Sequence, residues 1–258
     1  MNTIHLHRLI SETFLEQASW LEQTSSTNTV AMELARRAAP LPALIGADQQ
    51  LQGRGRKHHQ WWAGSGALTF SILLRPAELG IRPQQWPLLS MATGLAICRA
   101  LEAWLPGAQH HVKWPNDVYT NSRKICGILL ESVPDCPGLL IAGIGVNVNN
   151  SLAIAPAALQ LTATSMVDVA GNPFQRHAVL VSLLKQFAEE LHALSRDERT
   201  VIQGCRERCS LTGRLLTVQD VKSQLTGMCL GIDDDGALRL MTESGPRRLF
   251  TGEIQRID

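Results

Sequence analysis

A basic, glycine-rich loop contains the residues of this sequence that are best suited to chemistry on an anion. Its centre reads Gly53-Arg54-Gly55-Arg56-Lys57. Glycine lets main-chain N–H groups approach an anion closely, and the guanidinium fork of arginine matches two oxygens of a phosphate at once. The loop therefore suits a triphosphate, or a mixed anhydride of a carboxylate with AMP. The alternative is a solvated basic loop, and the spacing fits neither a Walker A loop nor a dinucleotide-binding fingerprint.

A second segment, Lys113-Trp114-Pro115-Asn116-Asp117, places polar groups where a strand should end. Pro115 lacks a backbone N–H group and stops the strand, which puts Asn116 and Asp117 on a turn. An amide and a carboxylate at that place can hold Mg²⁺, water or the ribose and phosphates of a nucleotide, and Lys113 can contact a triphosphate. The alternative is a plain turn in which Asn116 and Asp117 bond to their own backbone.

Adjacent cations open the next predicted strand at Arg123-Lys124, shortly before Gly127. Because side chains on a strand alternate between its two faces, only one of the two cations needs to point into a site. A fixed positive charge there would stabilise the negative charge that grows during attack on a phosphate. The alternative is a strand-end lysine in water.

In this order and spacing, the three segments and the later Gly143-Ile144-Gly145-Val146-Asn147 resemble the biotin protein ligases. These enzymes activate biotin with ATP and attach it to a lysine of a carboxylase. The resemblance covers roughly residues 20 to 258. It implies that Lys124 and Arg54 are catalytic, and that Lys124 bridges the biotin carboxylate and the α-phosphate.

The resemblance also implies two sets of binding residues. The biotin-binding set is Ser26, Thr27, Asn28, Gln50, Gly53, Arg54, Gly55, Arg56, Lys124, Gly127 and Gly143. The set for ATP and the adenylate is Arg54, Arg56, Lys57, Trp61, Lys113, Asn116, Asp117 and Asn147, with Asp117 also a ligand of Mg²⁺.

Three members of these sets have a structural alternative. Ser26-Thr27-Asn28 matches the ureido ring of biotin in donors and acceptors, but it also suits a plain helix N-cap. Trp61 would stack on adenine, or else on the loop itself. The glycines at 143 and 145 would let a flat bicyclic ligand lie against the backbone, or would serve tight packing of the strand.

The implied reaction consumes biotin and ATP, with Mg²⁺ as the metal, and forms biotinyl-5′-AMP. The biotinyl group then passes to a lysine in the biotin carboxyl carrier domain of acetyl-CoA carboxylase. The rival hypotheses are a lipoate–protein ligase and a nucleic-acid-binding module. A net charge of +1 weighs against the second rival, so we expect no DNA partner and no membrane partner. Related ligases are monomers or dimers, and we expect a homodimer.

The chain departs from the family pattern at His58-His59-Gln60, where many ligases have Gly-Arg and a further residue. Histidine adds positive charge to the loop only in mildly acidic solution, whereas arginine is always charged. A second difference lies before Ser26, where about 25 residues are too few for a winged helix-turn-helix domain. We therefore expect a ligase that is not a repressor.

Composition indicates an ordinary globular protein in a reducing compartment. The chain has 258 residues, of which 45% are apolar, and its six cysteines are scattered without a disulfide framework. No stretch approaches the ~20 apolar residues of a membrane span, and no signal peptide is apparent, so we expect a cytoplasmic protein.

The elements that must position these residues predict an α+β protein with a largely antiparallel or mixed sheet. The resemblance implies a class II synthetase-like catalytic domain over 1–210 and a small SH3-like barrel over 211–258. The predicted helices are 28–39, 86–104 and 173–194, and the predicted strands are 43–47, 68–74, 112–114, 125–131, 139–148, 215–218, 225–232, 237–242 and 247–251. Turns are predicted at Asn121-Ser122 and Asp235-Gly236.

Overall fold

The structure is a computed structural model that describes residues 3–37, 39–56, 59–220 and 223–258. Its main element is a seven-stranded sheet. The strands are β1 (Gln17–Thr24), β2 (Ala43–Gln50), β3 (Leu68–Leu74), β4 (His110–Lys113), β5 (Asp117–Thr120), β6 (Arg123–Ser132) and β7 (Leu140–Val146). The helices are α1 (Leu6–Glu12), α2 (Thr27–Ala35), α3 (Leu89–Trp104), α4 (Ala157–Thr162), α5 (Met166–Ala170), α6 (Arg176–Arg196) and α7 (Glu198–Glu207).

The strand order in this sheet is β1-β2-β3-β7-β6-β5-β4. Only β1 and β2 pair in parallel, and every other neighbouring pair is antiparallel. The central strands β3 and β7 are buried at every position, which indicates that both faces of the sheet are covered at its centre. The predicted α+β class with a mixed sheet is therefore confirmed.

The two faces of the sheet pack against different helices. On one face, Ala31 and Ala35 of α2 pack with alternate strand residues such as Ile45 and Leu73. On the other face, α3 and α6 cover a larger core that includes Phe70 of β3. Because side chains alternate along a strand, each central strand supplies both cores.

The C-terminal residues form a second sheet of five antiparallel strands, as the sequence predicted for the small barrel. Its strands are β8 (Leu215–Gln219), β9 (Gln224–Ile232), β10 (Leu238–Thr242), β11 (Gly245–Leu249) and β12 (Glu253–Ile257), in the order β11-β10-β9-β8-β12. Buried residues such as Leu216 and Leu240 belong to the same apolar cluster as α3 and α6. The domain boundary near residue 210 stays a prediction.

Several predicted elements were wrong in extent or missing. Residues 6–24 contain α1 and the edge strand β1, neither of which was predicted. The strands β5 and β12 were also missed, and they are only four and five residues long. β1 has a mixed burial pattern, and strands this short give no readable period. The helix predicted from residue 86 begins at Leu89, because Pro87 lies in a preceding 3₁₀ segment, Pro83–Leu88. The helix predicted over 28–39 ends at Ala35.

In the described part of the chain, no helix has both the length and the apolar character that crossing a membrane requires.

The turn predicted at Asn121-Ser122 is confirmed, and it joins β5 to β6 directly before Lys124. Both residues have positive φ, 47° and 66°. A two-residue hairpin loop with two left-handed residues follows the twist of the strands. The Asn121 side chain accepts a hydrogen bond from the backbone N–H of Gln109 at 3.0 Å, which helps to hold this conformation.

Ser122→Gly should stabilise the protein, because glycine adopts positive φ without the steric cost that serine bears. We expect the free energy of unfolding to rise by about 0.5–1 kcal/mol in urea titrations. The matched control is Ser132→Gly at the end of β6, where φ is not positive and glycine should be neutral or destabilising. Equal effects of the two substitutions would contradict the role assigned to the turn.

Candidate active site

A cavity of about 320 Å³ lies on the α2 side of the main sheet, next to the N-terminus of that helix. Residues of the C-terminal sheet line one side of the cavity. Most of the predicted site residues line this cavity. They are Ser26, Thr27, Asn28, Gln50, Arg54, Gly55, Arg56, Trp61, Lys113, Asn116, Asp117, Lys124, Gly127 and Gly143. Gly53 and Asn147 do not line it, and Lys57 and His58 lie outside the described residues.

A β-bulge in β6 directs Lys124 into the cavity. Val118 pairs with Cys126 and Tyr119 pairs with Lys124, so Ile125 is the extra residue. Ile125 and Cys126 are therefore both buried in the core. Lys124 returns to the cavity face together with Gly127, whose added Cβ would lie 3.4 Å from Cε of Lys124. Regular alternation would have placed residues three apart on opposite faces.

Lys124 makes an ion pair with Asp117 across the two strands. The distance from Nζ of Lys124 to Oδ1 of Asp117 is 2.7 Å, and the side chains are 32% and 21% exposed. Oδ1 of Asp117 is buried, and Lys124 is the partner that compensates its charge. Asp117 is the first residue of β5, whereas the sequence placed it on a turn.

Lys113 and Tyr119 form a second polar pair beside the first. Nζ of Lys113 donates to the hydroxyl of Tyr119 at 3.1 Å, and both residues line the cavity. Burial lowers the pKa of Lys113, and the charge of Asp117 opposes that shift. Burial also raises the pKa of Tyr119, with Asp117 acting in the same direction. No motif in the sequence indicated Tyr119, although it is the only tyrosine in the chain.

Arg56 of the loop reaches both sheets. Its guanidinium donates to Oδ1 of Asn116 at 3.1 Å and to the hydroxyl of Thr251 at 2.8 Å. Burial lowers the pKa of Arg56, and the charges of Asp117 and Glu253 oppose this shift. Asn116 is fixed in turn, because its amide nitrogen donates to the carbonyl of Ile128 at 2.8 Å.

The N-terminus of α2 is part of a buried polar network. Ser26 occupies the N-cap position, yet its side chain makes no capping hydrogen bond. Both the backbone N–H and the hydroxyl of Thr27 contact Oε1 of Gln50, at 2.7 and 3.1 Å. The Asn28 side chain contacts Ser71 and Glu131, neither of which the sequence had suggested.

The glycines of β6 and β7 make room for protein side chains. A Cβ on Gly145 would lie 2.4 Å from the indole of Trp61, and one on Gly143 would lie 2.3 Å from Oδ1 of Asn28. Gly127 pairs with Gly145 and its added Cβ would lie 3.2 Å from the same indole. The Trp61 ring therefore packs directly against the backbone at Gly127 and Gly145. Its stacking on adenine stays a prediction.

The neighbouring Trp62, which had no predicted role, packs against a small apolar cluster. That cluster contains Leu152, Ala155 and Ala163 in the segment before α5. The indole of Trp62 also covers Gly64, where an added Cβ would lie 2.5 Å from the ring. Trp62 is thus a structural residue that ties the loop to this segment.

Asn147 and Gly53 lie outside the cavity and contact segments that line it or adjoin it. Asn147 is buried, and its amide donates to the carbonyl of Thr164 at 2.9 Å and accepts from Asn150 at 2.8 Å. Thr164 also donates its backbone N–H to the carbonyl of Lys124. The carbonyl of Gly53 accepts from the backbone of Trp61 at 2.9 Å, and an added Cβ would meet the Trp61 carbonyl at 2.6 Å.

The C-terminal sheet contributes residues that sequence analysis did not assign to the site. His59 lies 2.9 Å from a carboxylate oxygen of Glu253, and Gly252 and Glu253 line the cavity. The indole N–H of Trp114 donates to the carbonyl of Gly236 at 3.1 Å, so Trp114 links the two sheets. No local pattern near residue 253 could have indicated this, because its partners are far away in sequence.

Known protein families match two parts of this chain. Residues 20–149 match the family described as Biotin/lipoate A/B protein ligase, and residues 217–256 match the Biotin protein ligase C terminal domain. A bifunctional ligase/repressor of Bacillus spizizenii is 33% identical over 90% of this chain and 71% of its own length.

Two further relatives are similar over nearly their whole length. A biotin–[acetyl-CoA-carboxylase] ligase of Paracoccus denitrificans is 32% identical over 91% of this chain and 98% of its own. The solved biotin protein ligase from Aquifex aeolicus in complex with biotin and ATP is 28% identical, with a TM-score of 0.81 over 95% of this chain and 100% of that one. These similarities show that the chain belongs to the biotin protein ligase family.

Proposed function

We propose that this enzyme forms biotinyl-5′-AMP from biotin and ATP and then transfers the biotinyl group to a lysine of a carrier protein. The observation that carries the proposal is the ion pair of Lys124 and Asp117, which holds a lysine charge in the cavity beside the arginines of the loop. The similar Aquifex aeolicus enzyme was solved with biotin and ATP, which supports the same two ligands here.

In the first step, an oxygen of the biotin carboxylate attacks the α-phosphorus of ATP. A new P–O bond forms, and the bond to pyrophosphate breaks. We assign Lys124 to the charge that grows on the reacting oxygens, and Arg54, Arg56 and Lys113 to the phosphates. Asp117 keeps the Lys124 ammonium in place until the anionic substrates compete for it.

In the second step, the neutral amine of the carrier lysine attacks the acyl carbon of the adenylate. The C–N bond of the amide forms, the C–O bond to AMP breaks, and the nitrogen loses a proton. The role we assign to the site in this step is positioning, which shortens the approach of two bound reactants.

We propose Asp117 as the protein ligand of a magnesium ion. The described residues contain no cluster of three or more His, Cys, Asp or Glu side chains that could hold a metal ion unaided. Magnesium typically binds one or two carboxylates and takes its other ligands from phosphates and water, so one carboxylate beside the phosphates fits it. The ion would offset phosphate charge when it is bound.

The acceptor that we propose is the biotin carboxyl carrier domain of acetyl-CoA carboxylase, as the name of the Paracoccus denitrificans relative suggests. All six cysteines are free, which supports a reducing cytoplasm as the site of action. A homodimer stays a prediction. The strands β1 and β4 end the main sheet and would be the edges at which to look for it.

The direct test incubates the protein with ATP, a purified carrier domain, and either biotin or lipoate. Mass spectrometry should show a biotinyl adduct on one carrier lysine and no lipoyl adduct. A lipoyl adduct alone would favour the rival ligase. No adduct in either tube, together with salt-sensitive DNA binding, would favour a nucleic-acid-binding module.

Lys124→Met should abolish adenylate formation while the protein stays folded. Losing a preorganised charge at the reacting centre raises the barrier by about 3 kcal/mol or more. Biotin-dependent release of pyrophosphate is the assay. Arg123→Met is the matched control, because Arg123 precedes Lys124 on β6 and is exposed outside the cavity. Comparable rates for a folded Lys124→Met variant and this control would remove Lys124 from the mechanism.

Gly145→Ala should slow adenylate formation by about tenfold or more, because the added methyl group displaces Trp61 and with it the loop. Gly94→Ala in α3 is the control. Its nearest neighbours would be at 3.5 Å, which is ordinary contact. Pyrophosphate release and thermal melting should be measured for both variants. Wild-type rates in a folded Gly145→Ala variant would show that the position of Trp61 does not matter.

His59 should help to retain the adenylate, because its contact with Glu253 joins the loop to the C-terminal sheet. His59→Ala removes this contact and should release biotinyl-AMP several-fold faster than the wild type, as measured by the release rate of the adenylate. Glu253→Ala should have the same effect, since it removes the other partner. Equal release rates for the wild type and His59→Ala would exclude this role.

A further inference from the structure

A connected set of polar side chains runs beneath the cavity and joins four elements of the fold. Its members are Gln50, Thr27, Ser71, Asn28, Glu131 and Arg54. Gln50 ends β2 and Arg54 follows in the loop, so both ends of the set lie in one stretch of chain. The hydrogen bonds and the chain between Gln50 and Arg54 therefore form a closed ring, which fixes the start of the loop relative to α2, β3 and β6.

The strongest contacts in this set are those of Asn28. Its Nδ2 donates to Oε2 of Glu131 at 2.6 Å, and its Oδ1 accepts from the hydroxyl of Ser71 at 2.5 Å. Asn28 is only 3% exposed, and it lies directly over Gly143. The same Oε2 of Glu131 also accepts from Arg54 at 3.2 Å.

Glu131 reaches both partners because it lies four residues after Gly127 on β6, and regular alternation puts both on the face of that strand towards α2. Cys126 and Ile128 are buried in the core. Glu131 pairs with Ile141 of β7, at the end of β6 that is remote from the Asn121-Ser122 turn. Its side chain is 26% exposed, so it is largely removed from water by its two donors.

The chemistry of a carboxylate gives Glu131 a role that its neighbours cannot supply. An asparagine amide can be turned so that either its oxygen or its nitrogen faces a given partner. The hydroxyl of Ser71 can donate or accept, so it permits both orientations. An ionised carboxylate only accepts, and it therefore selects the orientation in which Nδ2 of Asn28 faces Glu131.

We propose that Glu131 is a positioning residue that sets the donor and acceptor pattern which Asn28 presents in the cavity. This inference rests on the proposed function, in which the cavity binds the ureido ring of biotin, a group with one acceptor and two donors. In the opposite orientation, the amide would place its N–H donors against donors of the ligand and its oxygen against an acceptor of the ligand.

The contact with Arg54 is the weaker of the two contacts of Glu131. Arg54 is 43% exposed, and half-exposed ion pairs contribute little to binding or stability. Loss of Glu131 should therefore act mainly on the ureido end of the ligand through Asn28, and much less on ATP.

The experiment titrates biotin alone into the enzyme by calorimetry, for the wild type, Glu131→Gln, Glu131→Leu and the control Asp135→Asn. Asp135 is also an acidic residue with an arginine partner, but it lies on the surface at Arg36. Glu131→Leu should raise the dissociation constant for biotin about tenfold or more, and Glu131→Gln about threefold, because an amide can accept or donate. The control should be unchanged, and in both Glu131 variants the KM for ATP should change less than the KM for biotin.

Calorimetry separates positioning from a structural role. A variant that only loses stability binds at a lower stoichiometry with an unchanged dissociation constant. A folded Glu131→Leu variant with the wild-type dissociation constant overturns the inference, as does an equal rise in the KM for ATP. If Glu131→Leu fails to fold, Glu131→Gln decides the question, and an unchanged constant in that variant overturns the inference. Failure of the wild type to bind biotin would instead count against the proposed function.

Discussion

The ion pair between Lys124 and Asp117 is the contact on which the site depends. It joins β6 to β5 inside a cavity where either charge alone would be costly, since removal of one partner leaves the other partly buried and uncompensated. The pair exists because one extra residue, Ile125, turns Lys124 away from the core. The same contact links the two strands and holds the lysine ammonium inside the cavity.

The sheet beneath this pair has a different character on each face. Towards α3 and α6 it presents the large apolar residues of a core, and towards the cavity it presents glycines at 127, 143 and 145. The missing side chains let the Trp61 ring and the Asn28 amide lie directly on the backbone. Buried strands thus form a rigid surface, and a loop and a helix end add further polar groups to the cavity, in keeping with the usual location of functional residues.

The sequence predicted those elements of the fold that depend only on residues adjacent in the chain. The bounds of β3 agree with the predicted strand, because a run of apolar residues ended by Arg75-Pro76 is read without knowledge of its partners. The Asn121-Ser122 turn also follows from its own chemistry. Motif spacing brought most of the predicted residues to one cavity. It could not find Ser71, Glu131 or Glu253, whose roles arise only when distant strands meet, and it could not foresee that Asn147 would be buried behind the site.

The far C-terminal strand completes the site through the loop. Arg56 donates a hydrogen bond to Thr251, and His59 contacts Glu253 at the start of β12, so the loop is held between the two sheets. Burial lowers the pKa of Arg56, and the nearby charges of Asp117 and Glu253 oppose that shift, which keeps a cation in a place that would otherwise disfavour it. Trp114 fixes the distance between the sheets by its bond to the Gly236 carbonyl. The five-stranded sheet is therefore one wall of the cavity, and a substitution that shifts Thr251 or Glu253 should displace their partners in the loop, Arg56 and His59.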